Sequence, residues 1–446
     1  MARRHLFSLA AVALLAMMVA ALAPSRGGVP RAEACAFLRN PDSYEAEQAR
    51  TRYLQAIDAG SLNQLFPGDA FFGLPAIEVG TRGARTDGPA RVPATLLKAV
   101  AWVESNLTMA SRSVPFESGG PALVSFDCGH GVMQVTTGMT VPLGNEERPT
   151  ANQTAVATHY VYNIARGAAI LADKWNQAPD LRPIAGTDNG SDPAILENWY
   201  FATWSYNGFT GPGANSSNHP QDPSFGGWPR AGYNCDGTQS RNRYPYQELV
   251  WGCMARPASA GGSVLWTPVP ASLPNTSLPQ WFTPLSLANF SFPYAAMDMP
   301  TPQPAHVDAT PNVVPGFASQ VLGQPSMRVD GSRVTVNLNG RPDDARATIR
   351  VSNGGSGILS WSAVGDENWV VADPPAGVAL GSDVSCRTEC TDIGVIEITV
   401  NPTLLPASSA SGTLHISSPN GGPEVTVRVQ VDADFEVGAP GVSRVD

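Results

Sequence analysis

Glu104 stands directly after an apolar stripe made by Leu96, Val100 and Val103, with Leu107 one step beyond it. Their spacings of 4, 3 and 4 describe one buried face of a helix. Pro93 suits the first turn of that helix. The spacing therefore predicts a carboxyl group at a helix end against apolar neighbours. Such a carboxyl has a raised pKa and can hold its proton as a general acid. A lone Glu in that position is equally the description of a solvated surface side chain, so the neighbours must decide.

Three further segments supply neighbours. Ser125-Phe-Asp-Cys-Gly-His-Gly131-Val-Met133-Gln134 is glycine-rich and carries a Gln inside an apolar run. Tyr162–Leu171 reads as helical, with Asn163 and Gly167 on one face at i, i+4. Gly167 there also reads simply as room for close helix contact. Leu196–Tyr206 is an aromatic-rich helix stopped by Asn207-Gly208.

Taken in order, these four segments resemble the catalytic domain of lytic transglycosylases with the goose-lysozyme-like fold. Glu104-Ser105 matches the Glu-Ser that ends the family's first helix. Ser125, Gly131, Met133 and Gln134 match its glycine-rich motif, with Val132 in place of Leu. Asn163, Ile164, Gly167 and Leu171 match the third motif, with Ile170 in place of Tyr, and Tyr206, Asn207 and Gly208 match the fourth. The sequence departs from the family at Cys128-Gly129, at Ser205, and in an additional Arg112–Leu123 stretch expected to form a loop beside the cleft.

The resemblance implies cleavage of the β-1,4 bond between N-acetylmuramic acid and N-acetylglucosamine in peptidoglycan glycan strands. Glu104 would serve alone, first as acid and then as base, forming a 1,6-anhydro ring and needing no metal or other cofactor. It implies that Ser105, Ser125, Met133, Gln134, Asn163, Tyr206 and Asn207 contribute to the sugar subsites, with Tyr206 orienting Glu104. Asn163 reads equally as structural. If Glu117 or Asp127 instead activates water, the outcome is lysozyme-type hydrolysis of the same bond. Phe126–His130 also resembles the Asp-Cys start of cell-wall cysteine endopeptidases, which would need Cys128 as a thiolate. An inactive wall-binding scaffold is the non-enzymatic alternative.

The elements that must carry these residues lie in a chain of 446 residues, long enough for two or three domains. Residues 35–260 read as a mainly α, lysozyme-like catalytic domain. Residues 261–315 hold eleven Pro and no sustained period, and read as an extended linker, although Trp266 and Trp281 suggest that part of it lies against a domain. From 316 to 433 the period changes to two, with alternating runs at Arg333–Leu338, Ala347–Val351, Ile358–Trp361, Val395–Val400, Gly412–Ile416 and Val425–Val431. These strands predict an all-β immunoglobulin-like sandwich, and the stretch resembles BACON-type modules, some of which bind glycans. Trp361 and Trp369 read as core rather than as a glycan platform. The whole is thus expected to be multidomain, closing on a flexible tail at 434–446.

Arg3 and Arg4 precede an apolar run, Leu6–Ala23, and Ala32-Glu33-Ala34 forms a small-residue cleavage site. Residues 1–34 therefore read as a signal peptide or an uncleaved anchor, placing the protein outside the cytoplasm, secreted or in a bacterial cell envelope. Six Cys remain beyond them, and an even count in such a chain favours disulfides. The expected pairs are Cys386–Cys390, Cys235–Cys253 and Cys35–Cys128. The net charge of −10 argues against a nucleic-acid partner. Only Lys98 and Lys174 are Lys, and neither follows Gly, so there is no Walker A loop. The protein is expected to act as a monomer.

Overall fold

The computed structural model describes residues 35–432 except 38, 141–147, 279–280, 282–284, 289, 291–296, 339–344 and 388–391. The readings made for 1–34, 434–446 and Cys390 lie outside these residues. In chain order the main elements begin with β1 (Asp42–Glu45), α1 (Thr51–Ser61), β2 (Ile77–Thr81), β3 (Ala84–Gly88), α2 (Ala94–Ser105) and β4 (Ser118–Pro121). Next come α3 (Ala151–Thr158), α4 (Tyr160–Leu181), β5 (Ile184–Ala185), α5 (Tyr200–Tyr206) and α6 (Tyr246–Ala255). Short strands β6 (Ser259–Ala260), β7 (Ser263–Val264) and β8 (Asp298–Met299), then α7 (Phe317–Leu322), lead to the strand-rich part.

The helix of Glu104 is α2. Pro93 caps its start, and Asn106 ends it in the left-handed conformation (φ 60°). Helix α3 starts on a capping box in which Thr150 and Gln153 satisfy each other's backbone. His159 then interrupts the helical run in extended conformation, and its ring accepts from Val161 N as α4 begins. Buried apolar faces of these helices make one core that includes Ile57, Leu96, Val100, Ile164, Leu171 and Trp204.

The strand-rich part comprises β9 (Met327–Val329), β10 (Arg333–Asn337), β11 (Arg346–Asn353), β12 (Ile358–Gly365), β13 (Val370–Asp373), β14 (Ala376–Leu380), β15 (Val395–Val400), β16 (Ser409–Ser417) and β17 (Val425–Asp432). They form two sheets, ordered β10-β17-β16-β12-β14 and β13-β15-β11-β9. Alternate residues of both sheets, among them Ile349, Trp361, Ile398, Leu414 and Val429, meet in a second core, as period-two patterning requires. Trp361 and Trp369 are both buried in it, so neither offers a face to a glycan.

Two expectations about the organisation are corrected. Residues 261–315 do not form a free-standing linker. Trp266, Trp281, Leu285 and Met299 are buried in the helical core, and β8 pairs with β5 in parallel. Prolines remove regular period without removing apolar anchors, so a segment without secondary structure still completes a core. The Arg112–Leu123 stretch is likewise more than a loop, because its β4 pairs antiparallel with β1.

The sandwich sits directly on the helical part. Ile358, Ala376 and Val378 belong to the helical core. Thr158 donates to Ser360 Oγ at 2.8 Å, Tyr44 donates to the Ser385 carbonyl at 2.7 Å, and Arg387 pairs with Glu117 at 2.8 Å. The described residues thus form one compact unit.

Candidate active site

Glu104 occupies the last turn of α2. Burial pushes its carboxyl up to about 7, and the Asp127 charge pushes the same way. Opposing them, the Tyr246 hydroxyl donates to Glu104 Oε1 at 2.5 Å, and Arg241 stands near enough for its charge to favour the ionised form. Arg241 also donates through Nη2 to the Val103 carbonyl, a cation set against the negative end of the helix. Burial and the Glu104 charge together raise the Tyr246 hydroxyl well above the usual tyrosine value, keeping it a donor.

The glycine-rich segment is fastened to α2, α4 and α5. Ser105 Oγ donates to the Val132 carbonyl at 2.7 Å, tying the end of α2 to it. Asn163, fully buried on α4, accepts from Met133 N at 2.8 Å and donates to the carbonyls of His130 (2.7 Å) and Val156 (3.0 Å). Tyr206 donates to the Met133 carbonyl at 2.8 Å. Gly131 has φ +64°, and a Cβ there would lie 2.8 Å from Asn163 Nδ2 and 2.5 Å from Met109 Sδ. A Cβ on Gly167 would lie 2.4 Å from the Cβ of Met133, so this glycine does serve close packing.

These contacts sort the residues expected to meet sugar. Ser105, Met133 and Asn163 are buried; Ser105 and Asn163 hold backbone and Met133 packs against Gly167, so none lines a surface. Gln134 is partly exposed with φ 45°, its side chain folded back on the Gly131 carbonyl at 2.9 Å. Ser125 is partly exposed; it donates to Asp127 Oδ1 at 2.5 Å and accepts from Gly129 N at 2.8 Å. Tyr206 lies close enough to Glu104 for that charge to raise its hydroxyl, but the hydrogen bond to the carboxylate comes from Tyr246 and not from Tyr206. Exposed Asn207 accepts from Asn218 at 2.8 Å, and Asn218 in turn accepts from Tyr246 N at 2.9 Å. The Asn-Gly stop after α5 is thereby linked to the residue that holds Glu104.

Tyr246 and Arg241 went unrecognised in the sequence. The one local signal was Pro245 ahead of a largely apolar run, which marks a helix start but says nothing of where it docks.

Of the two candidate second carboxylates, Glu117 is held by Arg387 in the sandwich. Asp127 is exposed and adds its charge to the surroundings of Glu104. Cys128 is bonded to Cys35, which removes the thiolate a cysteine endopeptidase would need. His130 is buried beside it and its pKa falls to about 4, chiefly through that burial. Cys235 pairs with Cys253, and Cys386 is disulfide-bonded. Among the described residues no free cysteine remains, and no cluster of His, Cys, Asp and Glu is arranged to hold a metal.

No protein-family model and no curated protein matches the chain. Among solved structures, it is similar to the YadV chaperone at 16% identity, with a TM-score of 0.19, over 26% of this chain and 55% of that one. The E. coli chaperone DraB aligns at 13% identity and a TM-score of 0.19, over 25% of this chain and 56% of its own. The PapD-like domain 7 of human CEP192 aligns at 12% identity and 0.18, over 29% of this chain and 98% of its own. The chain thus spans about half the length of the chaperones it matches.

Two disulfides with described partners are compatible with an oxidising, extracytoplasmic location. Among the described residues no helix is long and apolar enough to cross a membrane.

Proposed function

We propose that the protein is a peptidoglycan lytic transglycosylase, its helical part a lysozyme-like catalytic domain. The observation that carries this is Glu104, a helix-end carboxyl raised to about 7 and oriented by Tyr246. A group with that pKa holds its proton in about half the molecules at neutral pH, which suits one residue that must be acid and then base. Glu104 gives its proton to the bridging oxygen, and the bond from that oxygen to muramyl C1 breaks. The substrate's own N-acetyl oxygen stabilises the cationic C1. Glu104 then takes the proton of the muramyl 6-hydroxyl, and that oxygen bonds to C1 to close the anhydro ring. No water enters and the carboxyl returns to its starting state.

Asp127 favours a second reading, hydrolysis, because a carboxylate within electrostatic reach of Glu104 can activate water. Mass spectrometry of digested peptidoglycan separates the two. Anhydromuramyl ends support the transglycosylase, reducing muramyl ends the hydrolase, and an intact glycan refutes both. Glu104→Gln is expected to lower turnover by about 10²–10⁴-fold with the fold retained. Substantial activity in that variant removes the assignment.

The leader-like sequence and the disulfides support secretion or a cell-envelope location. The sandwich, held against the helical part, serves as a rigid support in this reading, with any second glycan contact lying outside its two buried Trp.

A further inference from the structure

A cavity of about 490 Å³ lies at the C-terminal end of α2, lined by Trp102, Asn106, Arg112, Tyr233, Asp236 and Arg241 among others. We propose that it binds the peptide carried on the lactyl group of the muramyl sugar, a short chain bearing carboxylates and an amine. The proposal rests on the peptidoglycan reading above.

The cavity is assembled from two elements that the four motifs do not include. One is the Arg112–Leu123 stretch. Arg50 presses it against α2, its guanidinium lying over both Trp102 (5.7 Å) and Phe116 (5.3 Å) while Nε donates to the Asn106 carbonyl at 3.0 Å. The other is the loop from Tyr233 to Arg241. It is tied to α6 by Cys235–Cys253 and braced by Asn234 N donating to Gln239 Oε1 at 2.6 Å. Both walls are therefore held before any ligand arrives, which lowers the ordering cost of binding.

The lining has the chemistry of a peptide site rather than of a further sugar site. Two Arg and one Asp line it, a local positive balance in a chain of net charge −10. Among the described residues Arg112 is exposed and paired with no carboxylate. A guanidinium in that state offers a bidentate seat for a carboxylate. Trp102 and Tyr233 supply apolar surface for the peptide's aliphatic groups, and Asp236 suits its amine. The volume falls within the usual range for small-ligand sites. Arg241 faces both ways, lining the cavity and acting on Glu104. A peptide seated here would thus lie beside the sugar being cut.

The test compares soluble glycan oligomers that keep their peptides with the same oligomers stripped by an amidase, using the full chain and its Arg112→Ala variant. The ratio of kcat/KM for peptide-bearing over stripped glycan is expected to fall about tenfold in the variant, the usual effect of losing a charged hydrogen bond. An unchanged ratio overturns the proposal. Calorimetry with the free tripeptide L-Ala-D-Glu-meso-diaminopimelate gives a readout that needs no turnover. Wild type is expected to bind it and Arg112→Ala to bind at least tenfold more weakly. Absence of binding to wild type refutes the peptide site whatever the enzyme cuts, whereas binding without glycan cleavage refutes the proposed function and leaves the site standing.

Discussion

Glu104→Gln should stabilise the protein at alkaline pH and leave its stability unchanged in acid. The Glu104 carboxyl is raised from 4.5 to about 7, with burial the largest cause. At pH 4 it is largely protonated in both folded and unfolded chains, so it contributes no difference. From about 4.5 upward the unfolded chain releases the proton while the folded chain keeps it, and native stability declines. Above 7 the folded protein too must carry the charge, and the loss is complete. A shift of about 2.5 units at about 1.4 kcal/mol per unit gives about 3.5 kcal/mol. Gln carries no charge, and its carbonyl still accepts from the Tyr246 hydroxyl. With an unfolding entropy of roughly 2 cal/mol/K per residue over about 410 residues, the gain amounts to about 4 °C. Scanning calorimetry at pH 4 and pH 8.5 reads it directly. Other raised carboxyls, Asp42 at about 6 and Glu45 at about 7, are present in both proteins and cancel in the comparison. Equal melting shifts at the two pH values, or a less stable variant at pH 8.5, would refute the claim that Glu104 is held at an energetic cost.

Tyr246→Phe removes the donor that favours the ionised carboxylate, so the Glu104 pKa should rise and the alkaline limb of kcat/KM should move to higher pH; an unmoved limb means that Tyr246 does not set the proton. A chain ending at residue 260 loses Trp266, Trp281 and Leu285 from the helical core, where each buried Trp is worth about 3–5 kcal/mol. It should be recovered unfolded or aggregated, and a soluble product with native near-ultraviolet dichroism would contradict the packing described. Replacing Cys35 and Cys128 together by Ser opens a link across 93 residues. The expected loss is about 4–5 kcal/mol by chain entropy, read from thermal unfolding against wild type.

Much of the candidate site was legible because its parts are local. Leu96, Val100 and Val103 of the stripe ahead of Glu104 lie within α2 while Leu107 falls just past its end, and Gly167 and Asn163 sit one turn apart as a single helix requires. The strands were legible for the same reason: Val395–Val400 coincides with β15, the runs for β10, β11 and β17 agree within two residues, and those for β12 and β16 fall inside longer strands. What stayed hidden was long-range. Tyr246 reaches Glu104 across 142 positions, and no periodicity records such a meeting. The linker reading failed on a similar point. Loss of period between 261 and 315 reports absent secondary structure and hid how fully the segment packs, although Trp266 and Trp281 point to a docking surface. The family resemblance implies an orienting role for Tyr206, yet its hydroxyl is spent on the Met133 carbonyl.

The seating of the sandwich on the helical part has a consequence for how the chain is made. Tyr44 meets Ser385 across 341 positions and Arg39 meets Asp373 across 334. At about 5–20 residues per second, an N-terminal strand residue waits about 20–70 s for its partner to be synthesised. For the first part of that time the helices lack Trp281, and throughout it they lack the completed sandwich that covers them, leaving apolar surface open to water. Contacts of such sequence separation also slow the final search. A chain of this design therefore cannot complete its helical core while its second half is still unmade.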